Sequence, residues 1–202
     1  MHKSDLRRKI LSARRGLSGT CRQSLNTAIY HHLWRILSSR HFRRIGLYYP
    51  IQGEVDTLPL IRQLWCWRRN CYLPILPPSR AHNHLRLQYA LYEAGSTLRR
   101  DYFGIPEPIV LPRYRLRARD LDCVLLPLVA FDAQGFRLGM GGGYYDSSFA
   151  FLGQSPQRSK PRLIGLAYGF QYIEQLPRDP WDITLDGIVT EQGLQRPRAL
   201  QD

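Results

Sequence analysis

From Asp122 to Leu128 the chain reads Asp-Cys-Val-Leu-Leu-Pro-Leu, a continuous apolar run with no polar alternation. A strand that exposes one face to water alternates apolar and polar side chains, so an uninterrupted run marks a strand covered on both faces. Five further short runs rich in β-branched and aromatic residues read as strands, at 44–49, 71–76, 87–92, 162–168 and 187–190. Helical or loop segments separate them. The expected fold is therefore α/β, a single-domain layered sheet with helices on both faces.

The helices follow from spacing. Leu6, Ile10, Ala13 and Leu17 recur at four, three and four residues, which predicts a core-facing stripe from Lys3 to Leu17. At 100° per residue Lys3 falls within about 20° of Ile10, so Lys3 and Arg7 border that stripe, where a solvated pair would more often lie opposite it. Ser18 can cap a second helix over 19–38 that carries Leu25, Ile29, Leu33 and Ile36 or Leu37. A third runs from Thr57 to Arg68, capped by Asp56 or Thr57, with Pro59 in its first turn. A fourth should start near Tyr144 and reach Leu152. Residues 77–84 and 153–161 read as loops, and a long irregular stretch carries Phe103 to Pro108. The domain should span 1–194, with a frayed tail over 195–202.

The composition, 44% hydrophobic and 22% charged over 202 residues, excludes a disordered chain, and a chain of this length buries roughly 70% of its extended surface on folding. Cys21, Cys66, Cys71 and Cys123 form no C-x-x-C pair and have no His at ligand spacing, so they read as buried thiols in a reducing compartment. No apolar run approaches the ~18 residues of a membrane span, and charge interrupts residues 1–15 too often for a signal peptide. The expected location is the cytoplasm. His31-His32 and His82-x-His84 read as surface. Net charge is +13 and only Lys3, Lys9 and Lys160 are lysines, so 26 of the 29 basic residues are arginine. Such an excess favours anions in general, from nucleic acid and acidic lipid to nucleotides and polycarboxylates.

The stretch Arg137-Leu138-Gly139-Met140-Gly141-Gly142-Gly143-Tyr144-Tyr145-Asp146 follows the buried strand and opens a helix. Its glycines let backbone approach a ligand closely, and a helix start presents free N–H groups, which suits a phosphate; a tight turn with packing glycines is the simpler alternative. It is not a G-x-x-x-x-G-K-[ST] loop, having no lysine, nor a G-x-G-x-x-G loop, having Tyr144 in place of the last glycine. Cationic help would have to come from Arg137, Lys3 or Arg7. Asp146 directly after the glycines, and Asp182 and Asp186 before the last strand, are candidates for magnesium, which takes one or two carboxylates plus phosphate oxygens; helix-start, turn and capping roles compete. Glu54 lies at the C-terminal end of the first strand, where open α/β sheets hold ligands, although a solvated loop acid is the plainer reading.

Together these residues resemble the 5-formyltetrahydrofolate cyclo-ligase, or methenyltetrahydrofolate synthetase, family. The resemblance is carried by the loop 137–146 with Pro127 to Gly135 before it, by Lys3-x-x-x-Arg7, Glu54-Val55-Asp56-Thr57 and Gly104-Ile105-Pro106-Glu107-Pro108, and by Asp182-x-x-x-Asp186-Gly187-Ile188-Val189-Thr190-Glu191, all in order. It implies a fold similar to the sugar-phosphate isomerase and CoA transferase-like proteins. It also implies an ATP- and magnesium-dependent closure of 5-formyltetrahydrofolate to 5,10-methenyltetrahydrofolate by a cytoplasmic monomer, with release of ADP and phosphate. In such enzymes the formyl oxygen attacks the γ-phosphate, the neighbouring amine closes the ring and phosphate leaves. By position, ATP would meet Lys3, Ser4, Arg7, Arg137, Leu138, Gly139, Met140, Gly141, Gly142, Gly143, Tyr144 and Tyr145, with Lys3, Arg137 and Tyr144 in catalytic roles. Folate would meet Tyr49, Glu54 and the loop Met140 to Tyr144, and magnesium would meet Asp146 and Asp182.

Two positions depart from the family pattern. Phe103 stands where Trp is frequent and keeps an aromatic ring; Trp181 stands where His is frequent, which leaves Asp182 and Asp186 both open as the second carboxylate. Phosphoryl transfer needs positioning and charge neutralisation more than a protein nucleophile, in keeping with the absence of any Ser/His/Asp or Cys/His pattern. The competing classes are a basic nucleic-acid-binding protein, motivated by the charge but without a recognisable binding module, and an α/β protein that binds a phosphorylated metabolite without ATP.

Overall fold

The computed structural model describes residues 2–38, 41–78, 85–154 and 161–198. At its centre β7 (Cys123–Pro127) pairs in parallel with β1 (Arg44–Gly46) on one side and β10 (Arg162–Leu166) on the other. Beyond β1 lies parallel β2 (Asn70–Ile75), then antiparallel β3 (Gln88–Leu91) and β6 (Leu116–Arg117). Beyond β10 lie parallel β11 (Gly187–Thr190) and antiparallel β12 (Gly193–Gln195), completing an eight-stranded sheet. The chain leaves β1 towards β2 and leaves β7 towards β10, so the winding reverses between β1 and β7. That gap is where an open α/β sheet places its ligand crevice.

Both faces of β7 are covered. Cys123 and Leu125 join a core with Ile29, Leu33 and Leu37 of α2 (Gly19–Leu37) and Leu60, Ile61 and Leu64 of α3 (Leu58–Cys66). Val124 and Leu126 join a second core with Phe149 of α4 (Tyr144–Phe149), Leu152 and Leu185. Helices thus lie on both faces, and each fully buried Leu or Ile contributes about 1.5–3 kcal/mol. A third cluster packs Leu6 and Ile10 of α1 (Lys3–Arg15) on Val129, Ala130, Leu138 and Leu176, which seats α1 on the segment that leaves β7. Ser18 caps α2 by accepting from Cys21 N at 3.2 Å. Of the two residues expected to cap α3, Asp56 does so with its side chain, its Oδ1 accepting from Leu58 N, whereas the Thr57 hydroxyl donates to Tyr48 O.

Several expectations are corrected. Cys71 and Cys123 are buried but Cys21 and Cys66 are exposed, all four as free thiols. The stretch around Gly104 to Pro108 is not irregular: β4 (Leu98–Arg100) and β5 (Pro106–Pro108) form a hairpin. Its turn is set by Asp101 Oδ1, which accepts from Phe103 N and Ile105 N. The segment after β7 is another small hairpin, β8 (Ala130–Phe131) with β9 (Arg137–Leu138), in which Asp132 Oδ1 accepts from Gln134 N and Phe136 N. The last helix is six residues long and passes into a 3-10 turn over Ala150–Gln154. Gln195, where fraying was expected to begin, closes β12, and Arg198 N donates to Ala133 O. Residues 79–84, 155–160 and 199–202, which include His82, His84 and the end of the tail, lie outside the described residues. No helix among the described residues is long and apolar enough to cross a membrane.

Candidate active site

The glycine loop is aimed by the β8–β9 hairpin. Gly141 (φ 99°) and Gly143 (φ 69°) take left-handed backbone, which a side chain would strain, and Gly143 caps α4 in that conformation. Because α4 has only six residues, its dipole is small and the cations around it matter more. Arg7 on α1 donates from Nε to Gly139 O at 2.8 Å, and its guanidinium lies where a Cβ on Gly141 would come within 3.5 Å. Lys3, one turn earlier, donates to Asp179 Oδ2 at 2.7 Å and to Asp182 Oδ2 at 3.0 Å. Burial depresses the Lys3 pKa, but these two acids outweigh it and leave it raised, so the ammonium stays charged.

Arg137 Nη1 donates to Asp146 Oδ1 at 3.0 Å, and the same oxygen accepts from Ile183 N at 3.4 Å. The Asp182–Ile183 segment is thereby joined both to α1 and to α4. Arg137 is buried, its Nε has no hydrogen-bond partner among the described residues, and its guanidinium lies 5.9 Å from the centre of the Tyr145 ring. Lys3, Arg7, Arg137, Asp146 and Asp182 are therefore brought to one place.

Among the described residues no three His, Cys, Asp or Glu side chains gather as a metal cage. A magnesium ion bound with phosphates does not need one, since it uses one or two carboxylates and keeps waters. Asp146 Oδ2 and Asp182 Oδ1 accept no hydrogen bond among the described residues, so the two carboxylates fit such an ion. Asp186 is tied to β10: its Oδ2 accepts from Leu163 N at 2.7 Å and its own N–H returns to Leu163 O at the start of that strand. Of the two aspartates, Asp182 is the one bonded to Lys3 of α1.

Glu54 lies beyond the C-terminal end of β1, on the side where an open α/β sheet is expected to hold its ligand. A tight turn with Gln52 (φ 49°) and Gly53 (φ 73°) brings Glu54 back on Ile51: Glu54 N donates to Ile51 O at 3.0 Å, and Ile51 N donates to Glu54 Oε2 at 3.1 Å. Only 8% of Glu54 is exposed, and burial pushes its carboxyl up to about 7 against the pull of the Ile51 N–H and the Arg14 charge. The Tyr48, Tyr145 and Tyr168 phenols surround this region and burial raises the pKa of each. Tyr145 feels both Glu54 and Arg137, so it links the crevice to the glycine loop.

Tyr144 turns the other way. Its hydroxyl pairs with that of Tyr102, and its ring meets Phe103 edge-on at 6.2 Å, so the β4–β5 hairpin lays two exposed aromatics beside the loop. Glu107 fixes that hairpin by accepting from Arg99 Nε at 2.8 Å and Leu76 N at 3.1 Å.

A sequence model of the 5-formyltetrahydrofolate cyclo-ligase family matches residues 1–191. The chain belongs to the 5-formyltetrahydrofolate cyclo-ligase family. Its similarity to the 5-formyltetrahydrofolate cyclo-ligase of Haemophilus influenzae is 34% identity over 187 residues, covering 93% of this chain and 96% of that one. The enzyme of the same name from Escherichia coli K12 is 41% identical over 146 residues, 72% and 76% of the two chains. Among solved structures, the 5,10-methenyltetrahydrofolate synthetase of Aquifex aeolicus superposes with a TM-score of 0.80 at 34% identity, covering all of this chain and 96% of the other. That of Mycoplasma pneumoniae gives 0.70 at 28%, over 95% and 99%.

Within this cyclo-ligase the remaining sequence candidates divide. Leu138 is buried against Leu6 and Ile10, so only its backbone can face a ligand. Met140 is exposed on the loop, and Ser4 is exposed on α1. Tyr49 lines a cleft of about 290 Å³ with Leu58, Ile61, Arg62, Trp65 and Tyr92. Four residues escaped sequence reasoning: Arg14, Tyr48, Tyr102 and Asp179. Arg14 carried a usable signal, because it lies eleven residues from Lys3 and so within about 20° of it on α1. Burial pushes the Cys71 thiol up to about 12, which keeps it protonated at ordinary pH.

Proposed function

We propose that this cyclo-ligase uses ATP and magnesium to close 5-formyltetrahydrofolate into 5,10-methenyltetrahydrofolate. The observation that carries the reading is the meeting of Lys3, Arg7 and Arg137 with Asp146 and Asp182 at the glycine loop: cations that can release a carboxylate for a phosphate, and carboxylates that can release a cation for a metal ion. Lys3 and Arg7 hold the triphosphate from α1, while backbone N–H groups of 139–145 and the Arg137 side chain approach it from the loop. Asp146 and Asp182 would hold magnesium, which when bound neutralises charge on the phosphate oxygens. Glu54, Tyr49 and the loop from Met140 to Tyr144 bind folate, and Tyr144 steadies the reacting group.

In this reaction the formyl oxygen attacks the γ-phosphorus and the bond to ADP breaks. The neighbouring folate amine then adds to the formyl carbon, loses its proton, and phosphate departs with the formyl oxygen. The chain's share is orientation and charge. The test is the methenyl absorbance developed from 5-formyltetrahydrofolate. It should rise when ATP and magnesium are both present and stay flat when either is left out; no signal with both would overturn the reading.

A further inference from the structure

Arg14 is the one charged side chain among the largest fully buried side chains of the described residues, at 1% exposure. It reaches across the gap between β1 and β7: Nε donates to Gln52 O at 2.9 Å, in the turn that carries Glu54, and Nη1 donates to Leu128 O at 3.4 Å, just past β7. The turn is moulded to it, since a Cβ on Gly53 would lie 3.4 Å from Arg14 O and 3.5 Å from Arg14 Cγ. Nη2 is buried without a hydrogen-bond partner among the described residues. A buried guanidinium left one donor short is costly, and such a cost is commonly sustained at a site that uses the charge.

We propose that Arg14 is a positioning residue of the folate crevice, fastening the Glu54 turn to the end of β7 and fixing, through its uncommitted guanidinium charge, whether Glu54 meets the folate as carboxylate or as acid. The folate half of this rests on the function proposed above; the Arg14–Glu54 coupling does not. The two side chains form no direct ion pair, so the influence acts across space inside a buried region, where screening by water is weak. Arg14 from α1 and the Ile51 N–H of its own turn act on Glu54, which in turn acts on the Tyr48 and Tyr145 phenols; the Tyr168 hydroxyl donates to Glu54 O at 3.4 Å, while Arg22 from α2 lies beside Gly53 and, with Asp56, acts on Tyr168. The phenols are neutral at ordinary pH. Arg14 is the cation that acts directly on Glu54.

The experiment is a carboxyl-carbon NMR titration of the free, full-length protein labelled at its five glutamates, with the Glu54 signal assigned by its loss in Glu54→Gln. In Arg14→Met the Glu54 midpoint should rise by about one pH unit or more, and in Arg14→Lys it should stay near that of the parent. The pH profile of the folate KM should move with it. An unchanged Glu54 midpoint in Arg14→Met overturns the proposal. If Arg14→Met does not fold, Arg14→Met with Glu54→Gln removes both charges: recovery of folding supports the coupling, and failure of both variants to fold makes Arg14 a structural tie and overturns it. A midpoint that moves while the folate profile stays put keeps the Arg14–Glu54 coupling and removes Glu54 from the folate site.

Discussion

Glu54 is held where a carboxylate loses most of its hydration and gains one backbone N–H and a guanidinium at a distance in return. That exchange is incomplete, which is why the carboxyl moves up from 4.5 to about 7 in the folded protein. The folded state therefore binds more protons than the unfolded chain between those two values. The stability linked to Glu54 is fully present below about pH 4.5 and is lost as the pH rises through about 7, a change of up to about 3 kcal/mol. Urea unfolding at pH 5 and pH 8 should show the parent protein losing more stability across the interval than Glu54→Gln. Equal losses in the two proteins would mean that the titration belongs to another group. An acid kept at the expense of stability near neutral pH is what the proposed binding role would demand and a packing role would not.

α1 shows how an element with one buried stripe can carry the charges of a site. Leu6 and Ile10 bury into the cluster beneath the glycine loop, and the helical repeat then delivers Lys3 to Asp182, Arg7 to Gly139 and Arg14 to the crevice. Leu6→Ala should cost roughly 2–4 kcal/mol by thermal or urea unfolding, and by loosening the seat of α1 it should raise the KM for ATP more than that for folate. An equal rise in both would detach α1 from the phosphate end. Elements of this kind were legible in the sequence because a long 3.6-residue stripe, or an apolar strand such as β7, records its burial in its own composition. The β4–β5 and β8–β9 hairpins were not legible, because each strand is two or three residues long and their turns depend on the Asp101 and Asp132 side chains, with Glu107 bonding across space. Half of the site followed the same division. The glycines and acids of 137–146 announce themselves, whereas Arg14 and Tyr102 look like solvated or loop residues until the fold supplies their neighbours.

At the scale of the whole molecule the +13 charge is not spent on acids. Arg7, Arg14, Arg22, Arg44, Arg100 and Arg115 donate to backbone carbonyls, which fixes loops and strand ends without cancelling charge. The planar guanidinium suits this use, since it offers several donors in fixed directions and stays ionised. Much of the positive field therefore persists around a crevice whose proposed substrates, ATP and a folate with glutamate carboxylates, are both anions. Such a field acts on encounter more than on the bound state, and salt weakens it: the screening length falls from about 30 Å at 10 mM to about 10 Å at 0.1 M. Raising sodium chloride from 10 to 300 mM should therefore lower kcat/KM for both substrates by roughly 3- to 10-fold while kcat changes little, with magnesium held in excess throughout. A kcat/KM that ignores salt would show that the arginines act locally, as donors to the backbone, and that the few cations at the glycine loop account for anion binding unaided.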